Sequence, residues 1–370
     1  KNKKHSLYIN ESSMPEILKK EIQTLIEINN IENIDSIFNN INSSEFVGLD
    51  FNSTTYYFLY LLKRQKINPK NLPNPCILLK AIKNETELVG AKKAHIRDGV
   101  SITKYIYWLK NIMNPSLNNE ISVANYLENL RRKNKLFHSL SFDTISAIDK
   151  NAALPHYRVT EESKSSFSDN NIYLVDSGAQ YFDGTTDITR TIILGEATKE
   201  QKDRFTRVLK GHIALSNHVF VKGTKGTDID YLARKSLQEI NLDYDHGTGH
   251  GIGSFLSVHE APQRIAKKSM FESVELFPGM ILSNEPGYYK QNEYGIRIEN
   301  LVVVKENHEK KLYFENISWC PIEIDLIEVS MLDKIEKQWL NKYHENVYQK
   351  LEDYLEKEER IWLKKVTTAI

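Results

Sequence analysis

The sequence predicts an α+β fold, with helices packed on one curved antiparallel sheet and a smaller α/β unit ahead of it. Three observations carry that expectation. Two β-type runs, 172–175 and 188–194, flank an Asp183-Gly184 turn and read as a hairpin. Helical pairs precede and follow that hairpin. Two further strand-like runs, GMILSNE and GIRIENLVVV, come late in the chain.

Composition narrows the class. At 370 residues the chain can hold one large core and one small unit. Charge is balanced, 49 Lys and Arg against 49 Asp and Glu, and basic residues are scattered apart from short runs such as Lys1 to Lys4. No nucleic-acid partner is expected. No apolar stretch approaches the roughly 20 residues of a membrane span, so no membrane association is expected either. Cys76 and Cys320 are too few for a disulfide framework, and no signal peptide is read at the start. The cytoplasm is the expected compartment. The chain begins in KNKKHSLYIN without Met and reads as a piece of a longer protein.

Residues 1–83 read as the small α/β unit. Ser12 or Ser13 caps a helix with Pro15 in its first turn, and Met14, Ile17, Leu18, Ile22, Leu25 and Ile26 recur at helical spacing. Strands are expected at 46–50 and 76–80, and a helix at 55–62. No chemistry is read in this region. A long helix then spans 84–113, with Asn84 as its cap and Glu85 and Glu87 in its first turn. His95 falls in its buried stripe and reads as a packing or surface histidine. A second helix covers 120–135. A strand at 142–147 leads into ALPHYR, where His156 taken alone is a solvated loop histidine. Helices at 199–221 and 228–239 follow the hairpin. From Asp333 a charged helix packs through Trp339, Leu340, Tyr343, Val347, Leu351 and Leu355. The expected division is 1–83, 84–330 and a helical extension over 331–370.

Chemistry concentrates in DSGAQYFDGTTDITR, residues 176–190. A turn at Phe182-Asp183 or at Asp183-Gly184 sets Asp176 opposite residue 189 or 191. Asp187 shares the parity of both, so it faces the same side as Asp176. Diagonal cross-strand neighbours lie about 7–8 Å apart at the backbone. Two carboxylates converging there repel when ionised, and a cation removes the conflict. Standing alone, the stretch is two turn aspartates.

DHGTGHGIGSFLSVHE, residues 245–260, holds His246, His250 and His259 on a frame with glycines at 247, 249, 251 and 253. Those glycines forbid a stable helix, so His246 and His250 are not a helical zinc pair. They also let ring nitrogens and backbone amides approach a ligand. No GxxxxGK[ST] is present, which removes a phosphate loop. Singly, each histidine is core or surface; three within fourteen residues point to function. Glu285 ends an apolar strand before Pro286-Gly287, and Glu299 sits within a strand that is apolar on both faces. A charge there needs a partner, and Arg297 supplies the simplest one.

Asp176, Asp187, His250, Glu285 and Glu299 make four carboxylates and one imidazole. An oxygen-rich set suits hard or borderline divalent ions, manganese ahead of a sulfur-loving metal. Four carboxylates carry more charge than one divalent ion neutralises, which argues for two ions, a known hydrolytic arrangement that activates a bridging water and polarises a carbonyl.

DSGAQYFDGTTDITRT, HGTGHGIGSFLSVHE, NEPGYY and GIRIENLVVV resemble the motifs of aminopeptidase P, the Xaa-Pro aminopeptidases of the creatinase and methionine aminopeptidase-like superfamily, and its long cytosolic branch most closely. AIKNETELVGAKKAHIRDGV and ALPHYR are in register with it. The resemblance runs from about residue 76 to the C-terminal helix. It implies a pita-bread catalytic domain, preceded here by part of one creatinase-like domain. It implies that Asp176 and Asp187 bind one metal, that Asp187 and Glu299 bridge to a second, and that His250 and Glu285 complete that second shell. Glu285 becomes the general base or proton shuttle. His156, His246 and His259 become the substrate histidines that hydrogen-bond the peptide carbonyl and the oxyanion. Arg297 orients the carboxylates. Two ions are implied, manganese first, with cobalt or zinc as alternatives. The implied activity is hydrolysis of the N-terminal Xaa-Pro bond by a hydroxide held between the ions, on peptides with proline second. A homodimer is the candidate assembly. One departure is DKNAALPHY before His156, where the family carries a more glycine-rich loop. Prolidase and methionine aminopeptidase share the ligand pattern and are the rival enzymes. A non-catalytic pita-bread module that binds peptides or histones is the rival of another class, and the intact ligand set speaks against it.

Overall fold

The computed structural model describes residues 5–41, 46–268 and 274–370; the Lys1 to Lys4 run lies outside them. The chain divides into two compact units, Lys1–Cys76 and Ile77–Ile370. Among the described residues no helix is long and apolar enough to cross a membrane.

The first unit is built from two short parallel pairs. Strand β1 (Ser6–Ile9) passes through helix α1 (Glu16–Ile22) to its partner β2 (Glu27–Asn30), and β3 (Phe46–Leu49) passes through α2 (Tyr56–Arg64) to β4 (Asn68–Asn71). The expected serine cap of α1 is absent: Pro15 stands at the cap and no side chain bonds there. Ile17 and Leu25 are 78% and 80% exposed, so that apolar stripe does not build a core in this unit. The strand expected at 76–80 is instead helix α3 (Pro75–Ala81). The Asn74 side chain accepts the Cys76 amide at 2.9 Å and Pro75 is preset for a first turn, so cap chemistry overrides the β-type run.

In the second unit α4 (Glu85–Asn111) starts in a capping box. Asn84 Oδ1 accepts from Glu87 N at 3.0 Å, and Glu87 Oε2 accepts from Asn84 N at 2.9 Å. His95 is buried with Nδ1 2.7 Å from the Ala91 carbonyl, a packing histidine. Helix α5 (Glu120–Arg132) lies beside α4, and both bury Ile102, Tyr105, Val123 and Leu127 against sheet residues Tyr173, Val175 and Ile192. The chain continues through β5 (Phe137–Leu140), β6 (Ile145–Ile148), β7 (Asn171–Ser177), β8 (Ala179–Tyr181), β9 (Gly184–Thr185) and β10 (Ile188–Leu194). Phe142, expected in β6, precedes it. Strands β10, β7 and β6 pair antiparallel, with Asp176 opposite Thr189. Tyr181 pairs with Gly184, so the turn is Phe182-Asp183, one of the two registers expected. Gly90 of α4 touches that turn so closely that a Cβ there would meet the Asp183 carbonyl at 2.2 Å.

Helix α6 (Lys199–Ser216) ends five residues before the expected position, because 219–220 form β11 (Val219–Phe220) on the sheet edge. Then come α7 (Gly226–Gln238), β12 (Gly249–Gly251), β13 (Glu260–Ile265), β14 (Ile281–Asn284), β15 (Gly287–Lys290), β16 (Tyr294–Arg297), β17 (Asn300–Glu306) and β18 (Leu312–Asn316). A six-stranded sheet runs β11-β18-β17-β14-β12-β13, and β15 pairs with β16 alone. Leu215, Ile229 and Ala233 of α6 and α7 cover Ile265, Leu282, Val302 and Val304 of that sheet. Helices α8 (Lys334–Leu351) and α9 (Lys357–Val366) belong to the same unit: Leu340, Tyr343, Val347 and Leu351 share a core with Phe205, Val208 and Leu209 of α6. Glu299 does not lie within a strand as expected. It sits in the gap between β16 and β17, where the chain leaves β15 for β14.

Candidate metal centre

Breaks in the β-ladders aim the acids. Asp187 lies between β9 and β10, Glu285 between β14 and β15, and Glu299 between β16 and β17. His250 sits where the β12–β13 register shifts, a bulge of the kind that re-aims side chains. Asp176 is near the end of β7. Gly249 allows β12 this close to β14, since a Cβ would meet the Ser283 carbonyl at 2.1 Å.

These five side chains share one cavity of about 400 Å³ with Arg297, His156, His246 and His259. Ligand atoms of Asp187, His250 and Glu299 lie within 4.8 Å of one another. His250 Nε2 is 3.5 Å from Asp187 Oδ2 and 3.4 Å from Glu285 Oε1. Its Nδ1 is 3.1 Å from the Gly251 carbonyl and donates to it, which leaves the Nε2 lone pair facing the acids. Asp176 Oδ2 accepts from Arg297 Nη2 at 2.7 Å. Thr189, the cross-strand partner of Asp176, grips Glu299 twice: Oγ1 donates to Oε2 at 2.7 Å, and the Thr189 carbonyl accepts the Glu299 amide at 3.1 Å. Ser283 Oγ donates to Glu285 Oε1 at 3.2 Å, and the Glu285 amide donates to the Thr248 carbonyl at 2.8 Å.

Electrostatics state the need for a cation. Burial, then Glu299, Asp176 and Glu285, hold the Asp187 carboxyl well above its ordinary range. Burial and Glu299 do the same to Glu285, and burial with Asp176 lifts Glu299 to about 8. Burial and His259 push His250 down to about 3, so its ring is neutral and able to ligate. The buried Oδ1 atoms of Asp176 and Asp187 have no hydrogen-bond partner among the described residues. Orphaned carboxylate oxygens, crowded acids and one neutral imidazole are the donor set of divalent ions, and they fit two.

The three histidines expected to face substrate separate by what their nitrogens already do. His246 has both engaged: Nδ1 donates to the Gly247 carbonyl at 2.8 Å, and Nε2 lies 2.8 Å from the Tyr289 hydroxyl. Contrary to expectation, it has no N–H for a peptide carbonyl and meets the cavity through its ring. His156 and His259 carry no such bonds among the described contacts; the His259 ring stands 4.2 Å from that of His250. Arg297 bonds Asp176, Thr189 Oγ1 at 3.2 Å and Tyr289 at 2.6 Å.

Several residues escaped sequence reading. Tyr289 stands inside NEPGYY, and Thr189 and Ser283 share face parity with ligands, so parity was the available signal. Arg190 had none. Fully buried, it donates to the carbonyls of Thr189, Glu299, Cys320 and Pro321, to Asn300 Oδ1 and to the Tyr343 hydroxyl.

Comparison with known proteins places this geometry. The model of metallopeptidase family M24 matches residues 90–306, and a C-terminal region of peptidase_M24 matches 310–370. A probable Xaa-Pro aminopeptidase P of Botryotinia fuckeliana is 46% identical over 289 residues, 76% of this chain and 44% of that protein. One of Sclerotinia sclerotiorum is 47% identical over 289 residues, covering 76% and 48%. The chain thus spans about half the length of the curated relatives it matches. Among solved structures, the X-prolyl aminopeptidase of Caenorhabditis elegans, described as a cytosolic enzyme with a di-nuclear active site, superposes with a TM-score of 0.91 at 32% identity, over 100% of this chain and 62% of that one. An Xaa-Pro dipeptidase of Bacillus anthracis superposes with a TM-score of 0.71 at 27% identity, over 87% and 86%.

Proposed function

The chain belongs to metallopeptidase family M24, and from that premise we propose that it is an aminopeptidase removing the first residue from peptides with proline second. The observation that carries the reading is the convergence of three buried acids, Asp176, Asp187 and Glu299, and the half-buried Glu285 on one neutral imidazole, with two exposed histidines beside them. Asp176, Asp187, His250, Glu285 and Glu299 would hold two divalent ions, with manganese proposed from the oxygen-rich set. Bound there, the ions would supply a nucleophilic hydroxide at neutral pH and polarise the scissile carbonyl. Glu285 would take a proton from the attacking water and return it to the leaving proline nitrogen. His259 and His156 donate to the substrate carbonyls. Arg297 and Thr189 keep Asp176 and Glu299 in place. Residues 84–330 would be the catalytic domain and 331–370 its helical extension. The cytoplasm is the proposed compartment, in line with the cytosolic enzyme it superposes on, and a homodimer the proposed assembly.

The likeness to an Xaa-Pro dipeptidase over nearly its full length keeps one second reading alive. Manganese-loaded protein offered Ala-Pro-Ala, Ala-Pro and Met-Ala-Ala separates the two. Release of alanine from the tripeptide is expected. Cleavage of Ala-Pro alone makes the protein a dipeptidase, and release of methionine refutes both. Metal analysis should find two ions per chain; none would support a binding module instead.

A further inference from the structure

Behind the His246 side of the cavity, helix α7 carries a buried ion pair that the proposed chemistry does not use. Asp230 and Arg234 stand four residues apart on one helix face, 3% and 1% exposed. Arg234 Nε donates to Asp230 Oδ2 at 2.6 Å. The rest of the guanidinium reads one loop. Nη1 donates to the Tyr244 carbonyl at 2.6 Å and to Asp243 Oδ1 at 2.8 Å, and Nη2 donates to the His246 carbonyl at 2.8 Å. Its plane lies 3.9 Å from the Tyr244 ring centroid. Asp230 holds the other end of that loop, because its Oδ1 accepts from Thr248 Oγ1 at 2.5 Å. With its proton committed there, Thr248 Oγ1 accepts from the Tyr244 hydroxyl, also at 2.5 Å. The Thr248 carbonyl receives the Glu285 amide.

The front of the loop is equally determined. Tyr289 accepts from Arg297 Nη1, so its own proton goes to His246 Nε2. His246 is therefore the Nδ1–H tautomer, its ring 4.8 Å from Tyr244. An unbroken series of donors and acceptors runs from Asp230 through His246 and Tyr289 to Arg297 and Asp176.

We propose that Arg234 and Asp230 are positioning residues for substrate: they clamp the Tyr244-to-Thr248 loop so that His246 presents a fixed ring face to the cavity. A planar fork reaching two carbonyls and two carboxylates at once cannot be reproduced by lysine. This rests on the proposed peptidase reading, since it assigns that ring to the substrate wall.

The test uses the full, manganese-loaded chain. Arg234→Lys and Thr248→Val should each raise KM for Ala-Pro-Ala by roughly ten-fold, the scale on which outer hydrogen-bond partners act, while kcat stays near wild type and two ions remain bound. Thr248→Ser keeps the hydroxyl and should restore KM. In spectra of the same chain loaded with diamagnetic zinc and labelled with ¹⁵N-histidine, His246 should show the Nδ1–H tautomer, and Arg234→Lys should broaden or split that signal. Unchanged KM in both variants, or failure of Thr248→Ser to rescue, overturns the inference, as does a loss confined to kcat and bound metal. Should wild-type protein cleave no Xaa-Pro peptide, the peptidase reading falls. The His246 signal then decides the clamp alone: an unaltered signal in Arg234→Lys refutes it.

Discussion

Replacing Arg190 by methionine is expected to weaken the fold and the metal centre together. Arg190 on β10 donates to six acceptors contributed by four segments, among them the Glu299 carbonyl at 2.7 Å and the Tyr343 hydroxyl of α8 at 2.7 Å. Not all six lose everything in the variant. Thr189 O keeps the Glu299 amide, and Cys320 O at 2.8 Å and Asn300 Oδ1 at 3.3 Å share the single proton of the Tyr343 hydroxyl. That leaves the carbonyls of Glu299 and Pro321 buried without a strong donor. At about 1–3 kcal/mol for each unsatisfied buried group, the loss is about 2–6 kcal/mol. Methionine recovers part of it by sparing the desolvation of a charge, so about 3 kcal/mol is the expected net change. Set against a stability of about 5–15 kcal/mol, the protein should still fold. Because the freed Glu299 carbonyl borders the break that aims its carboxylate, affinity for manganese should fall about 10–100-fold. Urea denaturation followed by tryptophan emission reads the first quantity, since Trp339 stacks on Tyr343 with centroids 5.3 Å apart. Titration calorimetry reads the second. A variant within about 1 kcal/mol of wild type that binds manganese normally would refute the reasoning, because two orphaned carbonyls cannot be that cheap.

Glu285→Gln should keep the fold and lose peptide cleavage by about 10²–10⁴-fold, the range of a lost acid–base group; retained turnover on Ala-Pro-Ala would exclude Glu285 from proton transfer. Chelation should lower stability, by about 2.7 kcal/mol for each of the two ions relative to protein held at a hundred-fold excess over the dissociation constant, as read by calorimetric melting. His344 is buried, accepts the Ile322 amide on Nε2 at 3.1 Å, and is pushed down to about 3 by burial and then by Arg190. Its folded value lies below its unfolded value near 6.5, so the unfolded chain binds the extra proton and stability falls as pH drops through that window, by about 2 kcal/mol at pH 5. His344→Gln should remove that share of the acid sensitivity, measured as the difference in urea midpoint between pH 7.5 and pH 5.

What the sequence made legible, and what it hid, follows from whether a partner is marked by its side chain. Asn84 announces itself as a cap by its amide, and Glu87 answers three residues on. Asp176 and Asp187 mark a shared site because parity sets their charges on one face, although alone they read equally as turn aspartates and only the acids and histidines further along the chain decide between the two. The same logic failed at 76–80, where an apolar run reads as a strand although Asn74 and Pro75 already specify a helix start. It failed for Glu299, whose position between β16 and β17 depends on two different partner strands that no local pattern names. It could not reach Arg190 or Arg234 at all. Most of their acceptors are backbone carbonyls, and every residue has one. Arg190 meets Pro321, and Arg234 meets His246, through groups that leave no trace in residue identity. A motif therefore exposes the atoms that do chemistry, while the guanidinium groups that hold those atoms still become visible only when the chain is folded around them.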